Sequence, residues 1–145
     1  MPKINYSAVV VAAVAAFLFS ALYYSPLLLG NVLGAVDPVY RGGLKPSIAT
    51  ILVEIVRTLG ITYVLARLIA LTGRDGWKDA VRFALWAWFG FSFLMWVGAI
   101  IWEKQPWQVA AIHCGDWLVK TVLTAFILGL WTTRRSDLGP NDPKH

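Results

Sequence analysis

The chain has 145 residues, 58% of them hydrophobic and 14% charged, with a mean hydropathy of +0.62 and a formal charge of +5. A soluble domain of this size carries about a quarter charged residues, so the composition excludes an ordinary soluble fold and points to a polytopic membrane protein. The single Cys114 excludes an internal disulfide, and the few charges leave no basic surface with interleaved aromatics, so nucleic acid is not an expected partner.

A bilayer span needs about 20 mostly apolar residues, and four segments qualify: 7–29, 47–72, 79–102 and 107–131. These predict an all-α fold, four transmembrane helices in an antiparallel up-down bundle over residues 1–133. A polar cytoplasmic tail is expected over 134–145. The first span is uncharged. It exceeds the roughly 7–15 residue apolar core of a signal peptide and ends in aromatics, so it reads as a retained span. Ala8, Ala12, Ala16 and Ser20 recur every four residues along it, a small-residue ridge that admits close helix packing. An internal contact is preferred over a homodimer seam. Pro26, after Tyr23-Tyr24-Ser25, should bend or stop this helix.

The stretch from Gly30 to Lys45 is the longest connection, expected as a plain extracellular loop, with a short re-entrant turn as the alternative. Pro46 and Pro106 suit first helical turns, where the missing N–H costs nothing. Gly73 and Gly76 bracket the next connection. Asp79 near the start of the third span complements the helix dipole, and Trp86, Trp88 and Trp96 line that span.

Lys3, Arg67, Arg74, Lys78, Arg82, Arg134, Arg135 and Lys144 fall on one side of such a bundle, and Arg41, Lys45 and Lys104 on the other. Eight against three places both termini in the cytoplasm by the positive-inside rule. That collar accounts for most of the net charge and suits anionic lipid head groups. Tyr6, Trp77 and Trp131 then mark the inner boundary, and Tyr23, Tyr24, Trp102 and Trp107 the outer one.

The chemistry sits in the second and fourth spans, which carry Glu54 and Arg57, and His113, Asp116 and Lys120. An ionised group at membrane depth costs a few kcal/mol or more unless a partner, carbonyl or water satisfies it. At 1.5 Å per residue, Glu54 and Arg57 lie roughly 10 and 15 Å below Ser47, while His113, Asp116 and Lys120 lie roughly 9, 13 and 20 Å below Trp107. His113, Asp116, Lys120 and Thr124 share one helical face; Ser47, Thr50, Glu54, Arg57 and Thr58 share another. The two stripes are expected to face each other, with Glu54 level with His113 and Arg57 level with Asp116. Asp116 and Lys120 can also pair along their own helix.

Two readings of this cluster remain open. One is a buried ion-pair network that fixes helix register in a structural or accessory subunit, packed against itself or a larger membrane complex. The other is a hydrated pocket that binds or translocates an ion, proton or small polar solute, lined also by Tyr24 and Thr58. His113 and Cys114 point about 100° apart on a helix, so no metal site is expected. With no nucleophile at helical spacing from His113 and no phosphate loop, neither catalytic residues nor a cofactor are expected.

Three stretches resemble the bacterial membrane family called domain of unknown function 1761. They are Asn5 to Gly30 with its Tyr23-Tyr24-Ser25-Pro26-Leu27-Leu28 ending, Glu103 to Trp107, and Ile112-His113-Cys114-Gly115-Asp116-Trp117-Leu118-Val119 continuing to Ile127-Leu128-Gly129-Leu130-Trp131. Tyr23 is a small departure, standing where similar sequences often carry Trp. The resemblance implies a small four-span protein of a bacterial inner membrane and no defined activity. Small multidrug exporters are similar in size only, since their key glutamate is in the first helix and this first helix has no acid.

Overall fold

The computed structural model describes residues 4–37, 41, 46–73 and 76–136, with side chains to Trp131. Lys3, Lys45, Arg74, Lys144 and the stretch 137–145 lie outside the described residues. Among the described residues every regular element is helical: α1 (Tyr6–Tyr23), α2 (Gly30–Val36), α3 (Ile48–Leu71), α4 (Trp77–Trp88), a π-helical turn (Phe89–Phe93), α5 (Leu94–Trp102) and α6 (Trp107–Ser136). Four helices are long and apolar enough to cross a membrane: α1, α3, the continuous run from α4 to α5, and α6 to Trp131.

α1 and α3 begin where side chains can satisfy the orphan amides of a first turn. Asn5 Oδ1 accepts from the amides of Ser7 and Ala8 at 3.1 and 3.3 Å, and Ser47 Oγ accepts from Thr50 at 3.1 Å. α1 ends at Tyr23, short of the 29 expected, because Ser25-Pro26 enters a tight turn closed by the Leu28 and Gly30 amides on the Ser25 carbonyl. The chain then re-forms a helix, α2, where a plain loop was expected. Its Leu33 is fully covered by Val109, Ile112, Tyr23 and Tyr24, and this apolar anchor holds it against the bundle. α6 also runs past the expected boundary, continuing as helix to Ser136.

The ridge on α1 packs inside the bundle. Ala8, Ala12, Ala16 and Ser20 are all buried, and Ala8 and Ala12 meet Leu65, Ala66 and Ile69 of α3, Ala80 and Ala84 of α4, and Ala125 and Leu128 of α6 in one core. Small residues let backbones approach, so packing area replaces side-chain bulk. α4 approaches α6 closely. A β-carbon placed on Gly129 would collide with the Trp77 backbone and lie 3.1 Å from the Ala80 methyl. At the other end of α6, Trp88 and Trp96 reach Cys114 and His113, so α4–α5 and α6 run in opposite directions.

The apolar side chains that point out of the bundle are many and large, among them Leu18, Leu22, Val53, Val56, Trp86, Leu94 and Trp102. An apolar exterior wrapped around a small-residue interior suggests a membrane protein, because only lipid makes such a surface inexpensive.

Candidate functional site

The polar stripe expected on α6 is present and turned inward. Asp116, Lys120 and Thr124 are buried, with Asp116 at 2% exposure, and His113 is half-buried. Asp116 Oδ2 lies 2.8 Å from Lys120 Nζ, one turn along the same helix. The other carboxylate oxygen accepts a hydrogen bond from Ser20 Oγ of α1 at 2.5 Å.

The last residue of α1 and the one after it supply two more contacts to this stretch. The Tyr23 hydroxyl donates to the Ile112 carbonyl at 3.0 Å, and the Tyr24 hydroxyl shares a hydrogen bond with His113 Nδ1 at 2.7 Å. Gly115 makes room for the first of these, since a β-carbon there would come within 2.6 Å of the Tyr23 hydroxyl. From the opposite side, Trp96 stacks flat on the His113 ring at 5.0 Å, and Trp88 Nε1 donates to the Cys114 carbonyl at 3.1 Å. His113-Cys114-Gly115-Asp116 is thus gripped between the end of α1 and the aromatics of α4 and α5.

The stripe on α3 behaves differently. Arg57 closes a two-point fork on Glu54, Nε to Oε2 at 2.8 Å and Nη2 to Oε1 at 2.7 Å, with a weaker contact from Thr58 Oγ1 at 3.5 Å. Only Thr58 of that stripe is buried; Ser47 and Thr50 are exposed, and the Arg57 and Glu54 side chains are 45% and 32% exposed. The expected pairing of Glu54 with His113 and Arg57 with Asp116 is therefore not what forms. Each carboxylate finds its cation on its own helix, because an i,i+3 or i,i+4 partner is within reach whatever the helices do. α6 packs chiefly on α1 and α4 and touches α3 lightly, so α1 delivers Asp116's partner from another helix.

Trp117 joins the two halves. The Arg57 guanidinium lies 5.1 Å from its ring centroid and Lys120 Nζ lies 4.6 Å from it, so one indole carries two cations. Cation–π attraction of this kind strengthens when water is scarce. Trp117 forms the floor of a groove of about 940 Å³ between α3 on one wall and the π turn and α5 on the other. Arg57, Thr58, His113, Lys120 and Thr124 line it, while Glu54 and Asp116 do not. Tyr24 acts on His113 from outside the groove.

Sequence reading missed Ser20, Tyr23 and Thr62. Thr62 is 2% exposed and lines the groove. It lies four residues after Thr58 on the same face, a signal available from spacing alone. Ser20 looked like one more small residue of the Ala ridge. Among the described residues no group of His, Cys, Asp and Glu has the makings of a metal site.

An all-helical fold among the described residues, with four membrane-length apolar helices, suggests a small polytopic membrane protein. It belongs to the family described as protein of unknown function (DUF1761), whose family model matches residues 7–129. No curated protein and no solved structure matches the chain. The Tyr23-Tyr24-Ser25-Pro26 and His113-Cys114-Gly115-Asp116-Trp117 stretches, which carry the family resemblance, meet in space through the hydrogen bond between Tyr24 and His113.

Proposed function

We propose that this is an integral protein of a bacterial inner membrane, with both termini cytoplasmic, that binds a small polar or ionic solute in the groove over Trp117. The observation that carries the reading is the pair of cations, Arg57 and Lys120, gathered on one indole in the floor of a groove large enough for an organic molecule. Ligand sites have this character: mostly apolar walls, a few polar groups and a volume of about 300–1,000 Å³. His113 and the threonines 58, 62 and 124 supply the remaining hydrogen-bonding capacity.

A thermal-shift panel tests it. Purified protein in lipid nanodiscs is heated with sodium, potassium and chloride salts, small carboxylates, amines and sugars. At least one should raise the melting temperature of the wild type and leave Arg57→Gln unmoved, since a ligand at 100 times its Kd adds about 2.7 kcal/mol. A flat response across the panel removes the reading. Membrane orientation has its own check: a fluorescent protein fused after His145 should fluoresce in the cytoplasm.

A second reading is favoured by Asp116, which is sealed inside the bundle with both oxygens engaged. In that reading the chain is a structural or accessory subunit, assembling with copies of itself or with a larger membrane complex, and the inner pair is a clamp. Asp116→Asn should then lower stability with no separable loss of binding, and crosslinking in the membrane should capture a stoichiometric partner.

A further inference from the structure

We infer that the solute is an organic monoanion, a carboxylate attached to a compact apolar or aromatic body, seated with its carboxylate on Arg57. This rests on the groove being a binding site and goes further in fixing the charge and shape of what enters.

The first support is the asymmetry of the two ion pairs. Both cations line the groove and neither of their counterions does, so the floor presents positive charge although the four groups sum to zero. The second is the donor count on Arg57. A guanidinium has five N–H groups in a planar fork. Glu54 takes two of them, and the other three meet no acceptor among the described residues. Such a fork matches a carboxylate at two points. Glu54 on one edge and the Trp117 face hold the guanidinium in place, so little rotamer freedom remains to be lost on binding.

The walls specify the rest of the molecule. Ile61 and Val64 of α3 face Trp88, Phe91, Met95 and Trp96 across the groove. A bare inorganic ion would leave that apolar surface uncovered, whereas an aromatic or branched body covers it. Asp37 and Glu103 also line the groove, and Glu103 follows the last turn of α5, about 10 Å along the axis from Trp96. Negative charge at that end opposes a second anionic group on the ligand, which selects a monoanion.

The test uses the full-length protein in nanodiscs and four probes of matched or reduced body: benzoate, benzylammonium, benzyl alcohol and acetate. Binding is read by titration calorimetry and by the fluorescence of the groove tryptophans. Benzoate should bind about tenfold or more tightly than the other three, and Arg57→Lys, which keeps the charge and loses the fork, should weaken benzoate by about tenfold and leave benzyl alcohol and benzylammonium unchanged. Ile61→Trp, at a partly exposed position, should fill the groove and abolish benzoate binding without disturbing the fold. Benzyl alcohol or benzylammonium binding as tightly as benzoate overturns the anion assignment and leaves a binding groove standing. Acetate matching benzoate overturns the apolar body. Benzoate binding that survives Ile61→Trp places it elsewhere and overturns the site. Silence from all four probes removes this inference, and it removes the binding reading as well if the wider salt and sugar panel is also silent.

Discussion

Ser20 on the uncharged α1 donates its hydroxyl to Asp116 on α6 at 2.5 Å, opposite the 2.8 Å contact from Lys120. The most deeply buried acid among the described residues thus depends on a helix that carries no charge of its own. Both carboxylate oxygens are occupied from different directions, one along α6 and one across the bundle, and this fixes α1 against α6 at one height.

Breaking the inner pair one residue at a time should be costly. Lys120→Met leaves the Asp116 carboxylate buried with Ser20 alone, an uncompensated charge worth about 3–5 kcal/mol. The double change Asp116→Leu with Lys120→Met should recover most of that loss, because apolar residues of similar volume replace a buried pair at little cost. Thermal unfolding in micelles followed by size exclusion gives the comparison. A single variant as stable as the wild type would show that the pair is not a clamp.

Ser20→Ala keeps the small-residue ridge intact and removes only the hydroxyl. The lost hydrogen bond has a charged acceptor, so about 1.5–3 kcal/mol should disappear. Ala16→Ser, one turn earlier on the same ridge, is the control for a polar group without this acceptor. Equal melting temperatures for Ser20→Ala and wild type would place the α1–α6 register in the tyrosines instead.

The outer pair should behave in the opposite way. Glu54 and Arg57 are both about a third or more exposed, and a solvated pair of that kind contributes about 0–1 kcal/mol. Glu54→Gln should therefore unfold within a few degrees of wild type. A loss of several kcal/mol would mean that the pair lies against hydrocarbon, and it would argue against a hydrated groove.

Gly129 offers a test of helix spacing away from the Asp116–Lys120 pair. Its α-carbon faces the Trp77 backbone, and Gly129→Val must push α4 off α6, with an overpacking cost of about 1–3 kcal/mol. Gly98, with open space where a β-carbon would go, accepts alanine without such a penalty. Comparing the two melting curves separates close approach from helix propensity.

The number of candidate spans and the break at Pro26 were legible in the sequence because hydropathy and proline act locally. The buried face of α6 was legible too, since Asp116, Lys120 and Thr124 follow helical spacing. Neighbour choice was not. Depth along a helix can be counted from residue numbers, but which helix stands beside which is decided by the summed packing of small residues. Ala8 to Ser20 and Gly129 draw α1 and α4 onto α6 and leave α3 touching it lightly. So Arg57 turned to Glu54 rather than Asp116, and Leu33 drew α2 into contact where turn residues suggested a loop.

The π turn at Phe89–Phe93 has a bearing on rotation. In an unbroken α-helix residues advance about 100° each, so Trp88 and Trp96, eight apart, would diverge by roughly 80°. One residue absorbed in a wider coil makes them behave as if seven apart, nearly in line, and both indoles land on α6. The bulge works as a spacer that re-phases the upper half of the third span to its neighbour. Excising Gly90 should straighten the coil while both indoles keep their places, whereas adding a residue there would swing Trp96 away from the imidazole it covers.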